Sequence, residues 1–200
     1  MTKIPVHNHK GYKVSGWFGP EQKKLYKKLV GDISNGVIVE IGVYGGASLL
    51  TIADVCKRNN NLIFAIDPWE LATLANGKAL SSEELEDRTA RLIPVRENLE
   101  TIVEDLDYDH IHLIQDFSIA ASARYFDGIS IDLIMLDADH SYEAVKADLA
   151  AWWPLLKEGG KFLGHDYQSW ASVKKAVTEF TKQHNFDLAL VDADMWMLEK

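Results

Sequence analysis

Three short stretches of this chain place acidic or histidine side chains directly at the end of an apolar run. The stretches are 40–48 (EIGVYGGAS), 137–140 (DADH) and 165–166 (HD). Carboxylates and imidazoles can hold the polar groups of a ligand, bind a divalent cation or move a proton. Because the apolar runs resemble strands of one parallel sheet, we expect the three stretches to meet at the carboxyl edge of that sheet.

The first stretch joins the β-branched run 37–41 to a predicted helix through a glycine-rich turn. Gly42 and Gly46 suit a backbone that turns tightly and lets a ligand lie against it. Glu40 would repel a pyrophosphate there, but it would attract an ammonium group. S-adenosylmethionine (SAM) carries an ammonium, a sulfonium and a ribose but no phosphate, so these residues favour a SAM site over a nicotinamide site. The alternative is an ordinary glycine-rich turn of an α/β protein.

The rest of the chain supplies the elements that must position these residues. Short apolar runs predict strands at 37–41, 62–66, 111–115, 131–136 and 161–164, with helical patterns near 46–58, 118–126 and 142–156. This alternation predicts an α/β, Rossmann-like, doubly wound and mostly parallel sheet. After a helix near 170–184, the runs 186–191 and 195–198 predict an antiparallel C-terminal hairpin that completes a seven-stranded sheet.

Two segments lie outside this alternation, within what we interpret as one domain, 1–200. The segment 69–109 is charged; its SSEE at 81–84 predicts a helix start, and Pro94 predicts a break. We expect a helical, partly mobile insertion there that closes over the site, together with a helical lid in the N-terminal segment 1–34. The aromatic pair at 17–18 and Trp69 are candidate walls for a bound molecule.

Composition narrows the class of protein. Thirty acidic and 21 basic residues give a net charge of −9 without a visible basic stripe, so we expect no nucleic-acid partner. Cys56 is the only cysteine, which excludes an internal disulfide and suits a reducing compartment. No apolar leader or membrane-length segment is present, so we expect a cytoplasmic protein with no membrane partner. Association into a homo-oligomer is left open.

Motifs in a fixed order make the chain resemble the class I SAM-dependent methyltransferases, and among them the small-molecule O-methyltransferases of the macrocin type. The motifs are EIGVYGG at 40–46, AIDPW at 65–69, LDADHSY at 136–142, and LKEGG at 156–160 followed by HDY at 165–167. One departure is Tyr44, which stands where many members have a glycine. The resemblance implies methyl transfer from SAM to a hydroxyl of a small-molecule acceptor.

The resemblance also implies where the cofactor binds. Asp67 ends the second strand of the predicted sheet, where a carboxylate can accept both ribose hydroxyls, although it could instead cap the turn ahead of Pro68. Asp116 is expected to meet the adenine amino group, or else to cap the following helix. The residues expected to contact SAM are Glu40, Gly42, Tyr44, Gly46, Ser48, Asp67, Trp69, Asp116, Phe117 and Asp137.

A second pole of the site is implied at the ends of two further strands. In catechol-type relatives, carboxylates at the ends of these strands hold a divalent cation, and the expected metal ligands here are Asp137, Asp166 and His165. Oxygen ligands favour Mg²⁺, with Mn²⁺ as an alternative, and the cation would acidify the acceptor hydroxyl. Without a metal, His140 or His165 would act as general base, so Asp137, His140 and His165 are the expected catalytic residues. A purely structural Asp–His pair is the third interpretation.

A competing function is a non-catalytic module that binds SAM or a nucleotide. Such a module would keep Glu40, Gly42 and Asp67, but it would have no need of acidic and histidine side chains converging at 137–140 and 165–166. The chain contains both sets, which favours an enzyme. An NAD-dependent oxidoreductase is disfavoured by Glu40 and by the missing Gly-x-Gly-x-x-Gly spacing.

Overall fold

A computed structural model describes residues 3–75, 77–192 and 194–200 of the chain. Strands alternate with helices from residue 37 onwards, as predicted. The strands are β1 (Val6–His9), β2 (Tyr12–Ser15), β3 (Val37–Ile41), β4 (Leu62–Ile66), β5 (Leu74–Ala75), β6 (Lys78–Ala79), β7 (Ile111–Ile114), β8 (Ile131–Leu136), β9 (Leu156–Gly164), β10 (Ala189–Leu190) and β11 (Trp196–Glu199). The helices are α1 (Pro20–Gly31), α2 (Leu49–Arg58), α3 (Ser82–Asp105), α4 (Ser118–Tyr125), α5 (Tyr142–Trp152) and α6 (Ala171–His184).

Seven strands form one sheet in the order β10-β11-β9-β8-β3-β4-β7. The five from β9 to β7 are parallel, and β11 and β10 are antiparallel to their neighbours. The predicted seven-stranded sheet with an antiparallel C-terminal hairpin is therefore confirmed. Two small antiparallel hairpins, β1–β2 and β5–β6, lie outside it.

Helices cover both faces of this sheet. On one face α1, α2 and α3 pack against residues such as Ile38 and Met135, and on the other α4, α5 and α6 pack against residues such as Val39 and Ile134. Strands buried on both faces must be apolar along their whole length, which explains the unbroken apolar runs in the sequence. Cys56 lies fully buried in the first core, where burial raises the pKa of its thiol to about 12.

Two expectations about element ends are wrong. Pro94 does not break the chain: α3 continues through it, because Leu92, Leu99 and Ile102 of the same helix are buried and their packing outweighs the local cost of proline. The helix predicted for 142–156 ends at Trp152, and a 3₁₀ turn follows over Trp153–Leu155. Leu156 instead begins β9, where it pairs with Ile131 of the neighbouring strand.

The N-terminal segment contains the expected helix, α1, and also a hairpin that the sequence analysis did not predict. Lys10 and Gly11 form its two-residue turn, both with positive φ (50° and 97°), as such turns require. At the other end of the chain, only Ala189–Leu190 of the predicted run 186–191 joins the sheet. None of the described helices is long and apolar enough to cross a membrane.

Candidate active site

The three stretches that carry the acidic and histidine side chains, 40–48, 137–140 and 165–166, meet at the carboxyl edge of the sheet, as predicted. Asp137 N–H donates to the Ile41 carbonyl (2.8 Å), and Gly42 N–H donates to the Ile66 carbonyl (2.9 Å), which ties the ends of β8, β3 and β4 together. Gly42 has φ of 86°, and a Cβ at this position would overlap the Asp137 carbonyl oxygen. Only glycine therefore permits the turn after β3 to lie directly against Asp137.

Asp67 organises the glycine-rich turn. Its Oδ2 accepts the N–H groups of Val43 and Tyr44 (2.9 Å each), and its Oδ1 accepts the N–H of Trp69 (2.6 Å). Burial raises the pKa of the Asp67 carboxyl above its ordinary value, although these three hydrogen bonds oppose the change. The bond to Trp69 is the predicted cap on the turn that follows Asp67. The two bonds to the turn after β3 were not predicted.

Tyr44 adopts a backbone conformation that glycine would favour. Its φ is 50°, in the left-handed region, and its carbonyl accepts the indole N–H of Trp69 (2.8 Å). Trp69 is almost fully buried, so its ring supports the turn from below, whereas half-exposed Trp17 lies 6.0 Å from the Tyr44 ring. Of the expected aromatic walls, Trp17 is the one open to a bound molecule.

Glu40 lies beneath the turn with no exposed surface. Its Oε1 accepts the hydroxyl of Ser48 (2.6 Å), and its Oε2 accepts the hydroxyl of Tyr26 on α1 (3.3 Å). Burial raises the pKa of this carboxyl to about 8, and the charge of Asp137 adds to the shift. Gly46 (φ of 83°) and Ser48 carry the chain from the turn into α2.

Asp116 and Phe117 stand at the end of β7, next to β4. Asp116 accepts the N–H of Phe117 (2.8 Å) and pairs with the guanidinium of Arg124 (2.5 Å). These contacts hold Asp116 at the turn into α4, but the N-cap position of the helix is Phe117 and no side chain caps it, so Asp116 is not the helix cap. The Phe117 ring is about half exposed (46%) and is free to cover a planar ligand at this strand end.

Asp137, His140, His165 and Asp166 form a compact cluster at the ends of β8 and β9. His140 Nε2 lies 2.8 Å from Asp166 Oδ2 and 3.6 Å from Asp137 Oδ1. His165 Nδ1 lies 3.4 Å from Asp166 Oδ2 and 3.8 Å from Asp137 Oδ2. Each carboxylate thus faces both imidazoles.

The charges in this cluster change its proton affinities. Burial alone would lower the pKa of His140, but its close contacts with the carboxylates of Asp137 and Asp166 outweigh burial and raise that pKa to about 9. The same balance raises the pKa of His165. Burial would raise the pKa of Asp166, yet the two histidines hold it well below its usual range. His140 therefore retains its proton at neutral pH.

The His140 ring is held from two sides. It stacks on the half-exposed ring of Trp170, with centroids 4.8 Å apart, and its backbone carbonyl accepts the Ser172 hydroxyl (2.6 Å). Its Nε2 is buried and has no well-aligned hydrogen bond, although Asp166 Oδ2 is near. Such an atom is suited to a further partner located between the two carboxylates.

The structure brings the predicted residues into two adjoining groups and adds residues that the sequence did not reveal. Around the turn lie Glu40, Gly42, Tyr44, Gly46, Ser48, Asp67 and Trp69, and around the second pole lie Asp137, His140, His165 and Asp166. Tyr26 and Gln22 reach this region from α1, and Trp170 reaches it from the start of α6. The sequence carries no signal for Tyr26 or Gln22, since both act through contacts between distant segments.

Comparisons with known proteins agree with this geometry. The profile of a methyltransferase domain family matches residues 39–167. The fold is similar to that of the O-methyltransferase NovP (18% identity, TM-score 0.71, covering 91% of this chain and 80% of that one). It is also similar to the calicheamicin methyltransferase CalS11 (19% identity, TM-score 0.66, 91% and 80%) and to SMU.1697c of Streptococcus mutans, solved with S-adenosylhomocysteine (SAH; 13%, 0.59, 88% and 96%).

The chain belongs to this methyltransferase family. Its sheet order and the turn after β3 are those of the class I SAM-dependent methyltransferases, so the protein is an enzyme that uses SAM as its cofactor.

Proposed function

We propose that this enzyme transfers the methyl group of SAM to a hydroxyl of a small-molecule acceptor, with the help of a divalent cation. The observation that carries the proposal is the juxtaposition of the turn after β3 with the cluster at Asp137, His140 and Asp166. The first group suits the cofactor, and the second lies where an acceptor oxygen would have to be. The acidic net charge supports a small acceptor, as does the similarity to the O-methyltransferase NovP and to CalS11, which is named as a TDP-rhamnose 3′-O-methyltransferase.

The residues of the cluster fit a cation. One ligand atom each from Asp137, His140 and Asp166 lie within 4.8 Å of one another, and His140 Nε2 is the buried atom without an aligned partner. Carboxylate oxygens suit Mg²⁺, and the added imidazole suits Mn²⁺. A second group joins Asp166 and His165 to Asp194. It fits less well, because Asp194 already accepts hydrogen bonds from the 168–169 turn.

On this proposal the cofactor and the acceptor are held by different sides of the site. Glu40 and Asp67 support the turn on which the amino-acid and ribose parts of SAM lie, and Phe117 covers the adenine. A cation bound at the cluster would lower the pKa of the acceptor hydroxyl and fix its oxygen. The remaining task of the protein is alignment of that oxygen with the sulfonium methyl, which Trp17 and Trp170 assist as exposed aromatic walls.

A metal-free general base is the weaker alternative. A base must be unprotonated, whereas Asp137 and Asp166 hold the proton of His140. Cation binding would instead displace that proton and satisfy the same carboxylates. The lone, buried Cys56 adds support for a reducing, cytoplasmic location.

The proposal is tested by screening hydroxylated small molecules for SAH release, with and without EDTA. We expect EDTA to abolish turnover of an accepted substrate, Mg²⁺ or Mn²⁺ to restore it, and SAH affinity to change less than about twofold. Asp137→Asn and Asp166→Asn should behave like EDTA, whereas the exposed Asp187→Asn should behave like the wild type. Full turnover in EDTA, combined with loss of turnover in His140→Ala, would contradict a role for the cation and support His140 as a general base.

A further inference from the structure

The first turn of α1 makes a hydrogen bond into the site that the methyl-transfer mechanism does not require. The side-chain nitrogen of Gln22 lies 2.8 Å from Nε2 of His165. Gln22 and His165 are 143 positions apart in the chain, so the contact is purely tertiary. The ring of the buried Phe18, just before the helix, lies 6.3 Å from the His165 ring. His165 is therefore held by two residues of the N-terminal segment.

The orientation of the Gln22 amide is fixed by a second hydrogen bond. Its Oε1 accepts the backbone N–H of Gly19 (2.7 Å), which is the residue that caps α1. Reversal of the amide would place its NH₂ group against that N–H and leave the Gly19 donor unpaired. Because Oε1 is committed to Gly19, the NH₂ group of Gln22 must point at His165.

An NH₂ group can only donate, so Nε2 of His165 must accept. A neutral imidazole that accepts at Nε2 carries its proton on Nδ1, and Nδ1 faces Asp166 Oδ2 (3.4 Å) and Asp137 Oδ2 (3.8 Å). Both carboxylates lie on the Nδ1 side of the ring, so their position and the contact with Gln22 favour the same tautomer. Gln22 and the carboxylates therefore act on opposite nitrogens of one ring.

We propose that Gln22 is a positioning residue that holds His165 in the Nδ1–H tautomer, so that its Nδ1–H faces the carboxylates of Asp137 and Asp166 and His165 is not itself a cation ligand. An N–H donor beside a metal-binding carboxylate fixes the direction of its oxygens, as partners around metal sites commonly do. The orientation of the two carboxylates then depends on α1 being docked against the sheet. The consequence for catalysis rests on the proposed function, but the tautomer itself does not.

The tautomer is measured by long-range ¹H–¹⁵N correlation spectra of the full chain with ¹⁵N-labelled histidine, in EDTA and without substrate. The His165 signals are those missing from a His165→Asn spectrum. We expect the wild type to show Nδ1 protonated and Nε2 unprotonated. Gln22→Glu is the decisive variant, because a carboxylate can still accept from Gly19 while its other oxygen accepts from Nε2. In this variant we expect Nε2 of His165 to shift to the position of a protonated nitrogen, with the exposed His112 unchanged as a control.

Two results would overturn the proposal: a protonated Nε2 in the wild type, or an unprotonated Nε2 in Gln22→Glu. Gln22→Leu, which removes both hydrogen bonds of the amide, guards against a misfolded Glu variant. We expect it to lose the single tautomer and show averaged His165 nitrogen shifts, and an unchanged Nδ1–H pattern in it would also contradict the proposal. Since no step of this measurement involves SAM or an acceptor, failure of the tautomer and failure of methyl transfer are distinguishable.

Discussion

Glu40 and Asp67 end neighbouring strands, yet their carboxyl groups have different surroundings. Asp67 accepts three backbone N–H groups, which stabilise its charge. Glu40 is completely buried, and this burial outweighs its hydrogen bonds from Ser48, Tyr26 and the backbone N–H of Leu49, so its pKa rises to about 8. In the absence of a cationic ligand, Glu40 is therefore a cost to stability at neutral pH.

Glu40→Gln should raise the stability of the protein and weaken its binding of the cofactor. Because the pKa of the Glu40 carboxyl is raised in the folded state, this group ionises first in the unfolded state as pH increases. The stability of the wild type therefore falls between about pH 4.5 and pH 8, whereas the variant has no carboxyl at position 40 and lacks this pH dependence. We expect urea unfolding to show the variant more stable than the wild type at about pH 8 by on the order of 4 kcal/mol, with the difference shrinking towards pH 4.5. SAH affinity should fall at least about tenfold, because the turn proposed to carry the amino-acid part of the cofactor loses the carboxylate that supports it. A variant that gains no stability at high pH would contradict the buried-charge account.

Asp67→Ala should weaken SAH binding at least about tenfold, equivalent to about 1.4 kcal/mol. The variant loses the carboxylate that shapes the turn at 43–44 and that is proposed to face the ribose hydroxyls. Calorimetry of the folded variant measures the loss, and Asp127→Ala, at an exposed position, is the matched control. Unchanged SAH affinity in folded Asp67→Ala would exclude both roles.

Among the elements, the two segments expected to close over the site differ in how they are attached. The β1–β2 hairpin is tied to the body by Lys10 to Asp54 (2.6 Å) and Tyr12 to Asp105 (2.7 Å). The β5–β6 hairpin instead extends from 69–109 over the site, where the Gly77 N–H donates to Asp139 Oδ2 at 3.3 Å. The second hairpin is thus the better candidate for a lid.

Hydrogen exchange should separate these two segments. We expect amides of the β5–β6 hairpin to exchange at least about tenfold more slowly with saturating SAH, because closure restricts local opening. Amides of β1–β2 should be protected to the same extent with and without SAH. Asp139→Ala should reduce the protection of β5–β6 alone. Equal exchange of that hairpin in both states would show that it is not a lid.

Elements were predictable from the sequence where local pattern and packing agree. The strands of the sheet are continuous apolar runs, so β3, β4 and β8 were placed to the residue. The β1–β2 hairpin was missed because its strands are short and half exposed, although the Lys10-Gly11 turn was an available signal. The break at Pro94 was wrong because buried side chains on either side of the proline hold α3 together, and local propensity does not include such contacts.

At the scale of the whole molecule, the fold explains why the site could be predicted in part. A parallel sheet brings the ends of its strands to one edge, so the sequence alone predicts that Asp67, Asp137 and His165-Asp166 lie together. Contacts from other segments could not be foreseen, such as Tyr26 on Glu40 and Gln22 on His165, because they depend on how α1 packs across the sheet. Two layers of helices hold the strand ends in place while leaving this edge open to ligands.

The central claim is that this edge is a SAM site, and SAH binding to the full chain tests it most directly. Isothermal titration of the wild type in EDTA should show saturable binding of one SAH per chain, with no measurable binding of NAD under the same conditions. The same titration of Asp67→Ala should show the tenfold weaker affinity expected when the turn loses its anchor. No binding of SAH to the folded wild type, or binding of NAD in its place, would contradict the account.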